Sequence, residues 1–282
     1  MSNLQSNSYD DISKNIITCN KTSEYQKVWE KEASEDSVKS AAGIDRIQKG
    51  NEIDQLLVKI PQFYENFKSG KHYGHILEFG PGYGRIPLYL SKKKDVQCNL
   101  YTGIDISINM LKKLDSYFDK YDTFPNRKLI RQENTSLPVE NDSVDLIISS
   151  AVFLHMNKES VIFTLKELNR VAKKGCEVHF IGSFPNFYGL GSFPSNFISF
   201  FKGKKTNYMK FYSLSEVQDL LKEHFDKISF DISVSDFSVF HRKFPKAIPF
   251  NKKFRKYSLD NSPHSQLYNL AFGSCFSAIS KK

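Results

Sequence analysis

An acidic residue and three closely spaced glycines have the types and spacing that could bind a polar ligand. Gly80, Gly82 and Gly84 follow an apolar run that contains Glu78. Glycine accepts positive φ angles and lets a ligand approach the backbone closely. A helix that begins directly after the turn points its first N–H groups and a positive dipole end at that ligand. The pattern therefore predicts a ligand-binding loop between a buried strand and a helix.

A second acidic residue, Asp105, ends another apolar run about 20 residues beyond this loop. A carboxylate at the end of a strand can accept hydrogen bonds from both hydroxyls of a ribose. An acid in this place is also common as a solvated strand end, so its distance from the glycines is what favours binding. A nicotinamide-dependent enzyme would carry G-x-G-x-x-G, but Arg85 occupies the position of the third glycine.

The elements that must position these residues alternate between strand and helix over residues 71–182, which predicts a parallel sheet. Helical periodicity covers residues 159–172, and a turn is expected at residues 173–175. The expected strands end near the loop at residue 79 and then cover residues 99–105, 128–134, 145–150 and 177–182.

In this order the motifs resemble those of class I S-adenosylmethionine-dependent methyltransferases. The resemblance rests on E-x-G-x-G-x-G at residues 78–84, on Asp105, and on Leu137-Pro138 followed by Ser143-Val144-Asp145. It implies S-adenosylmethionine as the cofactor, with S-adenosylhomocysteine as the product. It also implies that Glu78 organises the loop around the methionine part, that Asp105 binds the ribose and that Ile106 packs against the adenine. The remaining cofactor-binding residues that it implies are Gly80, Pro81, Gly82, Gly84, Glu133, Asn134 and Ser149, where Glu133 replaces the family's aspartate.

The family's fold is an α/β, Rossmann-like sheet of seven strands with helices on both faces. Its last strand lies antiparallel between the fifth and the sixth. Ser213 and Glu216 form a capping-box pattern that opens a late helix. The sixth and seventh strands are expected over residues 228–234 and 267–279. The predicted organisation is a flexible segment 1–22, a helical lid 23–70 and a methyltransferase domain 71–282 with insertions at 183–212 and 237–264.

Trp29, the only tryptophan, lies in the predicted lid and could cover the cofactor. The alternative is that it anchors its helix in the core.

The first insertion, 183–212, is rich in aromatic residues and follows the fifth strand. It predicts an apolar cap over the acceptor, with Phe184, Tyr188 and Tyr208 as pocket residues. Alternatively, these aromatics form a small core beneath a loop.

The second insertion carries seven lysine or arginine residues and no acid over residues 237–259. Basic residues interleaved with aromatics could bind RNA, an anionic membrane surface or an acidic partner. A solvated loop whose aromatics enter the core is the other interpretation.

His155, after the fourth strand, is the predicted general base, because the reference pKa of histidine is near 6.5. It could instead line the pocket or begin a helix. Tyr188, Tyr208 and His241 are weaker candidates. The residues that follow the fourth strand lack the N/D-P-P-Y type of motif used on base amines, which argues against that activity.

Composition sets wider limits on the function. The chain has 282 residues, a formal net charge of +9 and no apolar run long enough to span a bilayer. Four scattered cysteines show no metal-binding spacing and suit a reducing cytoplasm. The expected function is methylation of a small organic acceptor, on oxygen. The alternatives are an RNA or protein methyltransferase recruited through the basic segment, and a cofactor-binding subunit that performs no chemistry.

Overall fold

The computed structural model describes residues 11–13, 16–18, 27, 29–31, 67–132, 136–185, 212–232, 255–258 and 274–281. The chain divides into two compact units. The first comprises residues 1–60 and 67–135, and the second comprises residues 61–66 and 136–282.

In the first unit, the glycine-rich loop follows one of three parallel strands. They are β3 (His72–Phe79), β4 (Gln97–Asp105) and β5 (Arg127–Arg131), and β4 is the central strand of the three. Helices α1 (Arg85–Lys94) and α2 (Ile108–Lys120) connect them. Their centre is apolar, because Leu77, Leu129 and the ring of Tyr101 are fully buried. The loop thus follows the carboxyl end of β3, and Asp105 is the last residue of the neighbouring parallel strand β4.

Two short strands extend this part of the sheet within the predicted flexible segment 1–22. Strands β1 (Asp11–Ser13) and β2 (Ile16–Thr18) pair antiparallel, and β2 pairs in parallel with β5. The structure therefore differs from the prediction for these six residues. The physical reason is that Ile16, Ile17 and Thr18 are β-branched and find an open edge on β5.

The second unit contains the remaining strands, with helices α3 (Lys158–Val171) and α4 (Leu214–Lys222). Strands β6 (Val144–Ser150) and β7 (Ala172–Ile181) are parallel. β10 (Ser274–Ser280) lies antiparallel between β7 and β8 (Phe225–Ile232), and β9 (Arg255–Ser258) pairs antiparallel with β8.

The turn predicted at residues 173–175 is instead a bulge inside β7. The pairing of β7 with β6 shifts from Val144 opposite Ala172 to Leu146 opposite Glu177. Gly175 absorbs the irregularity with a φ of 75°. Backbone pairing on both sides of the bulge explains why strand geometry continues where sequence alone indicates a turn.

The strand orders β5-β4-β3 in the first unit and β6-β7-β10-β8 in the second are those of the predicted methyltransferase sheet. The fold class is therefore confirmed, and so is the capping box of Ser213 and Glu216 at the start of α4. None of the described helices is long and apolar enough to cross a membrane.

Candidate functional site

The glycine-rich loop after β3 is held by backbone hydrogen bonds. The N–H of Gly80 donates to the carbonyl of Ile104 at 2.8 Å, and the N–H of Gly84 donates to the carbonyl of Pro81 at 3.0 Å. All three glycines have positive φ, with 75° at Gly80, 56° at Gly82 and 93° at Gly84. At Gly84 a Cβ would stand 2.3 Å from the side chain of Leu114, so close helix packing also requires glycine there.

Asp105 lies directly beside this loop. Its Oδ2 accepts a hydrogen bond from the N–H of Gly82 at 2.9 Å, and its Oδ1 accepts one from the N–H of Ser107 at 2.9 Å. Burial raises its pKa to about 6, although bonds from backbone N–H groups act in the opposite direction. Each carboxylate oxygen has a second lone pair, so the side chain keeps acceptor capacity for two hydroxyl donors.

Glu78, at the end of β3, is almost completely buried, with 1% of its surface exposed. The hydroxyl of Tyr101 donates to its Oε2 at 2.8 Å. Burial raises the pKa of Glu78 to about 8, while the bond from Tyr101 and the charge of Arg85 lower it. Glu78 is therefore mostly a neutral carboxylic acid at pH 7. A cation bound nearby would lower its pKa and favour the ionised carboxylate.

Sequence reasoning missed Glu30, which comes from a helical stretch that includes Trp29 and Lys31. Its carboxylate accepts hydrogen bonds from the N–H groups of Ile108 and Asn109 and from the hydroxyl of Ser107, at 2.7, 3.2 and 3.0 Å. Nothing in the spacing could have indicated this contact, because Glu30 precedes Ile108 by 78 residues.

In the second unit, the residues that follow β6 form a strained turn. Ala151 has a φ of 54°, which is costly for a residue with a Cβ, and its N–H donates to the carbonyl of Ile181 at 2.8 Å. Ser149 is buried, and its carbonyl accepts a bond from the hydroxyl of Ser183 at 3.2 Å. His155 ends a short 3₁₀ helix, Phe153–His155, that begins after this turn.

Aromatic side chains join the two ends of the first insertion to this turn. Phe184 is fully buried, and its ring centroid lies 5.5 Å from that of Phe153 and 5.2 Å from that of Tyr212. The hydroxyl of Tyr212 donates to the carbonyl of Phe153 at 3.3 Å. The surroundings of Phe184 favour the interpretation that at least the ends of the insertion build a core.

Several predicted site residues lie outside the described residues, and their roles stay predictions. They are Glu133, Asn134, Tyr188, Tyr208 and His241. The structure does bring together Glu78, the glycines and Asp105 in the first unit, with Ile106 next to Asp105. Across the described ranges, no group of three or more His, Cys, Asp or Glu side chains is placed to hold a metal ion.

The glycine-rich loop lies inside the part of the chain that matches a known protein family. Residues 76–175 match a family model described as a methyltransferase domain. No curated protein sequence matches the chain.

Three solved structures illustrate the similarity of the fold. A putative methyltransferase of Haloferax volcanii, solved with its Trm112 activator, is 14% identical, with a TM-score of 0.52 and coverage of 93% of this chain and 99% of that one. Geranyl diphosphate C-methyltransferase of Streptomyces coelicolor is 10% identical, with a TM-score of 0.55 and coverage of 94% and 100%. Phosphoethanolamine N-methyltransferase 2 of Haemonchus contortus is 14% identical, with a TM-score of 0.52 and coverage of 82% and 53%, so the match spans about half of that protein.

Proposed function

Since this chain is a class I S-adenosylmethionine-dependent methyltransferase, we propose that it methylates a small organic acceptor on an oxygen atom. The family match ends at residue 175, before the first insertion. The identity of the acceptor therefore depends on segments that the family does not share.

The residues of the first unit fit the cofactor. The carboxylate of Asp105 is oriented by the N–H groups of Gly82 and Ser107 and keeps lone pairs for ribose hydroxyls. A Cβ placed on Gly82 would meet no atom within 4 Å, so this side of the loop has room for a ligand. When bound, S-adenosylmethionine supplies a methyl group on a positively charged sulfur, and the buried acid Glu78 can ionise in response to positive charge.

The observation that carries the proposal of a small acceptor is the closed base of the first insertion. The N–H of Tyr212 donates to the carbonyl of Pro185 at 2.8 Å, so the two ends of the first insertion lie side by side. That point follows the carboxyl end of β7, and ligands of open α/β sheets bind beyond the carboxyl ends of strands. A segment whose two ends meet and whose sequence is rich in aromatic residues suits a cap over an apolar molecule rather than an open groove for a polymer.

His155 is the proposed general base for a hydroxyl acceptor. The Phe153–His155 turn is held in place by a hydrogen bond, because the carbonyl of Phe153 accepts from the hydroxyl of Tyr212 at the end of the first insertion. Methyl transfer to oxygen needs the acceptor held in line with the methyl group and its proton removed. A histidine held by the same turn that anchors the cap can do the second of these tasks.

We place the enzyme in the cytoplasm. Cys98 and Cys176 are free thiols, and burial raises the pKa of Cys98 to about 12 and that of Cys176 further still. Protonated thiols of this kind, half-buried at Cys98 and buried at Cys176, suit a reducing compartment.

The test is an acceptor screen with S-adenosylmethionine that carries a labelled methyl group. The panel contains phenols, aliphatic alcohols, carboxylic acids, amines, RNA and protein extracts. We expect label on a hydroxyl or carboxyl compound, and at a given cofactor concentration much less of it with Asp105→Asn. His155→Asn should remove the rise of kcat with pH and leave cofactor affinity unchanged. Label on amines alone, or a pH profile that His155→Asn does not alter, would contradict oxygen methylation assisted by this histidine.

A methyltransferase for RNA or protein is the second candidate, favoured by the seven basic residues and the absence of acids over residues 237–259. Part of that segment is the strand β9, and Lys256 stands opposite Asp231 of β8. Phosphate binding by such a segment would make activity fall steeply with salt. A slope of log activity against log salt near zero, on the acceptor found in the screen, would exclude this candidate. Cofactor binding without transfer to any compound of the panel would instead favour a subunit that performs no chemistry.

A further inference from the structure

The N-terminal end of α2 obtains its acidic cap from a distant part of the chain. The first turn of α2 contains no acidic residue. The hydroxyl of Ser107 accepts the N–H of Met110 at 3.2 Å, as an N-cap side chain does. The two N–H groups between them, those of Ile108 and Asn109, donate to Glu30. All the N–H groups that a helix leaves without internal partners at this end are thereby satisfied.

The contact with Glu30 is stronger than an ordinary surface ion pair. A carboxylate at a helix N-terminus gains from the helix dipole as well as from charge-assisted hydrogen bonds. Glu30 is only partly exposed, and both of its oxygens are engaged. Ordering the segment that carries Glu30 costs conformational entropy, and these three bonds are among the contacts that offset it.

Ser107 connects Glu30 to the cofactor-binding acid. Its N–H donates to Oδ1 of Asp105, and its hydroxyl donates to Oε2 of Glu30. One residue therefore holds both carboxylates, and movement of Glu30 changes the position of the group that orients Asp105. The other oxygen of Asp105 is bound to Gly82 of the glycine-rich loop, which completes a chain of contacts from residue 30 to the loop.

We propose that Glu30 is a positioning residue for the cofactor. It fixes the helical residues 29–31 to α2 and, through Ser107, holds Asp105 in the orientation that binds ribose. The proposal rests on the assignment of Asp105 to the cofactor. It gives the N-terminal segment a specific task in cofactor affinity and names the side chain that performs it.

The test compares Glu30→Gln with Lys27→Gln, which changes the charge of an exposed residue in the same helical stretch. Glutamine keeps the shape of Glu30, but its amide nitrogen cannot accept a hydrogen bond. Affinity for S-adenosylhomocysteine is measured by calorimetry at 15 °C, where near-ultraviolet circular dichroism confirms that each variant is folded. We expect Glu30→Gln to raise Kd about tenfold, equivalent to about 1.4 kcal/mol, and Lys27→Gln to change it less than twofold.

Hydrogen exchange of the Ile108 and Asn109 amides in the cofactor-free protein separates the possible failures. We expect faster exchange in Glu30→Gln only. Faster exchange with an unchanged Kd would show a helix cap with no role in binding and would overturn the proposal. Unchanged exchange would overturn the contact itself. Absence of binding by the wild-type protein would instead refute the cofactor assignment on which the proposal rests.

Discussion

Replacement of Glu78 by glutamine is expected to remove most of the pH dependence of stability between pH 6 and pH 8 in the cofactor-free protein. Glu78 has 1% of its surface exposed, and burial raises its pKa from the ordinary value of 4.5 to about 8. Glutamine has nearly the same shape, and its amide oxygen can still accept the bond from Tyr101. The substitution therefore removes the titration and keeps the packing.

The sign follows from proton binding. Between pH 4.5 and about 8 the folded state keeps the proton of Glu78, whereas the unfolded state has lost it. The free energy of unfolding therefore falls as pH rises through this window. A difference of one proton is worth 1.36 kcal/mol per pH unit, and the difference has fallen to half a proton at pH 8. The wild type should therefore lose about 2 kcal/mol from pH 6 to pH 8. Asp105, whose pKa is raised to about 6, adds a similar loss mainly below pH 6.

The measurement is urea unfolding of the wild type and Glu78→Gln at half-unit intervals of pH, after removal of bound cofactor. Histidines titrate in both proteins, so the difference between the two curves isolates Glu78. We expect that difference to change by about 2 kcal/mol between pH 6 and pH 8, with glutamine the more stable protein at pH 8. Parallel curves would refute the argument, because they would show that Glu78 is ionised in the folded state near its ordinary pKa.

Three further outcomes follow from the geometry. Gly84→Ala should destabilise the protein by about 2 kcal/mol in urea unfolding, because the new Cβ would clash with the side chain of Leu114 and because φ at this residue is 93°. Gly82→Ala is the control: no atom lies within 4 Å of its Cβ, so it should cost only about 1 kcal/mol, from the positive φ alone. Affinity for S-adenosylhomocysteine should fall as pH drops from 7 to 5, because Asp105 is protonated below a pKa of about 6; calorimetry should find no such trend in Asp105→Asn. Arg170→Met should destabilise the protein by about 2 kcal/mol in urea unfolding, because Arg170 pairs with the carboxylate of Glu167 and donates to the carbonyls of Leu137 and Val139. A loss below about 0.5 kcal/mol would contradict this account.

Local signals were enough to predict most of the elements around the glycine-rich loop. The apolar runs before Gly80 and up to Asp105 became β3 and β4, and the Ser213-Glu216 pattern became the start of α4. These features depend on residues close together in sequence, where periodicity, glycine geometry and capping act directly. The helix over 159–172 was confirmed within one residue at each end.

Features that depend on distant partners could not be predicted in this way. The contact of Glu30 with α2, the pairing of β2 with β5 and the bond of Tyr101 to Glu78 each join segments far apart in the chain. An isolated glutamate, a short β-branched run or a tyrosine in a strand has the same local pattern whether or not such a partner exists. Only the packed sheet selects among the partners.

Several energetically unfavourable features lie at the carboxyl ends of strands or directly after them, in each of the two units. Glu78 and Asp105 are buried acids with raised pKa values, and Ala151 adopts a φ of 54°. Each lowers stability, and a sequence selected for stability alone would replace them with glutamine, asparagine and glycine. The expected consequence is a trade-off: Glu78→Gln should be more stable than the wild type at pH 8 and yet bind S-adenosylmethionine, whose sulfur is positively charged, more weakly. An equal loss of affinity for the uncharged sulfur of S-adenosylhomocysteine would assign the effect to loop shape rather than charge.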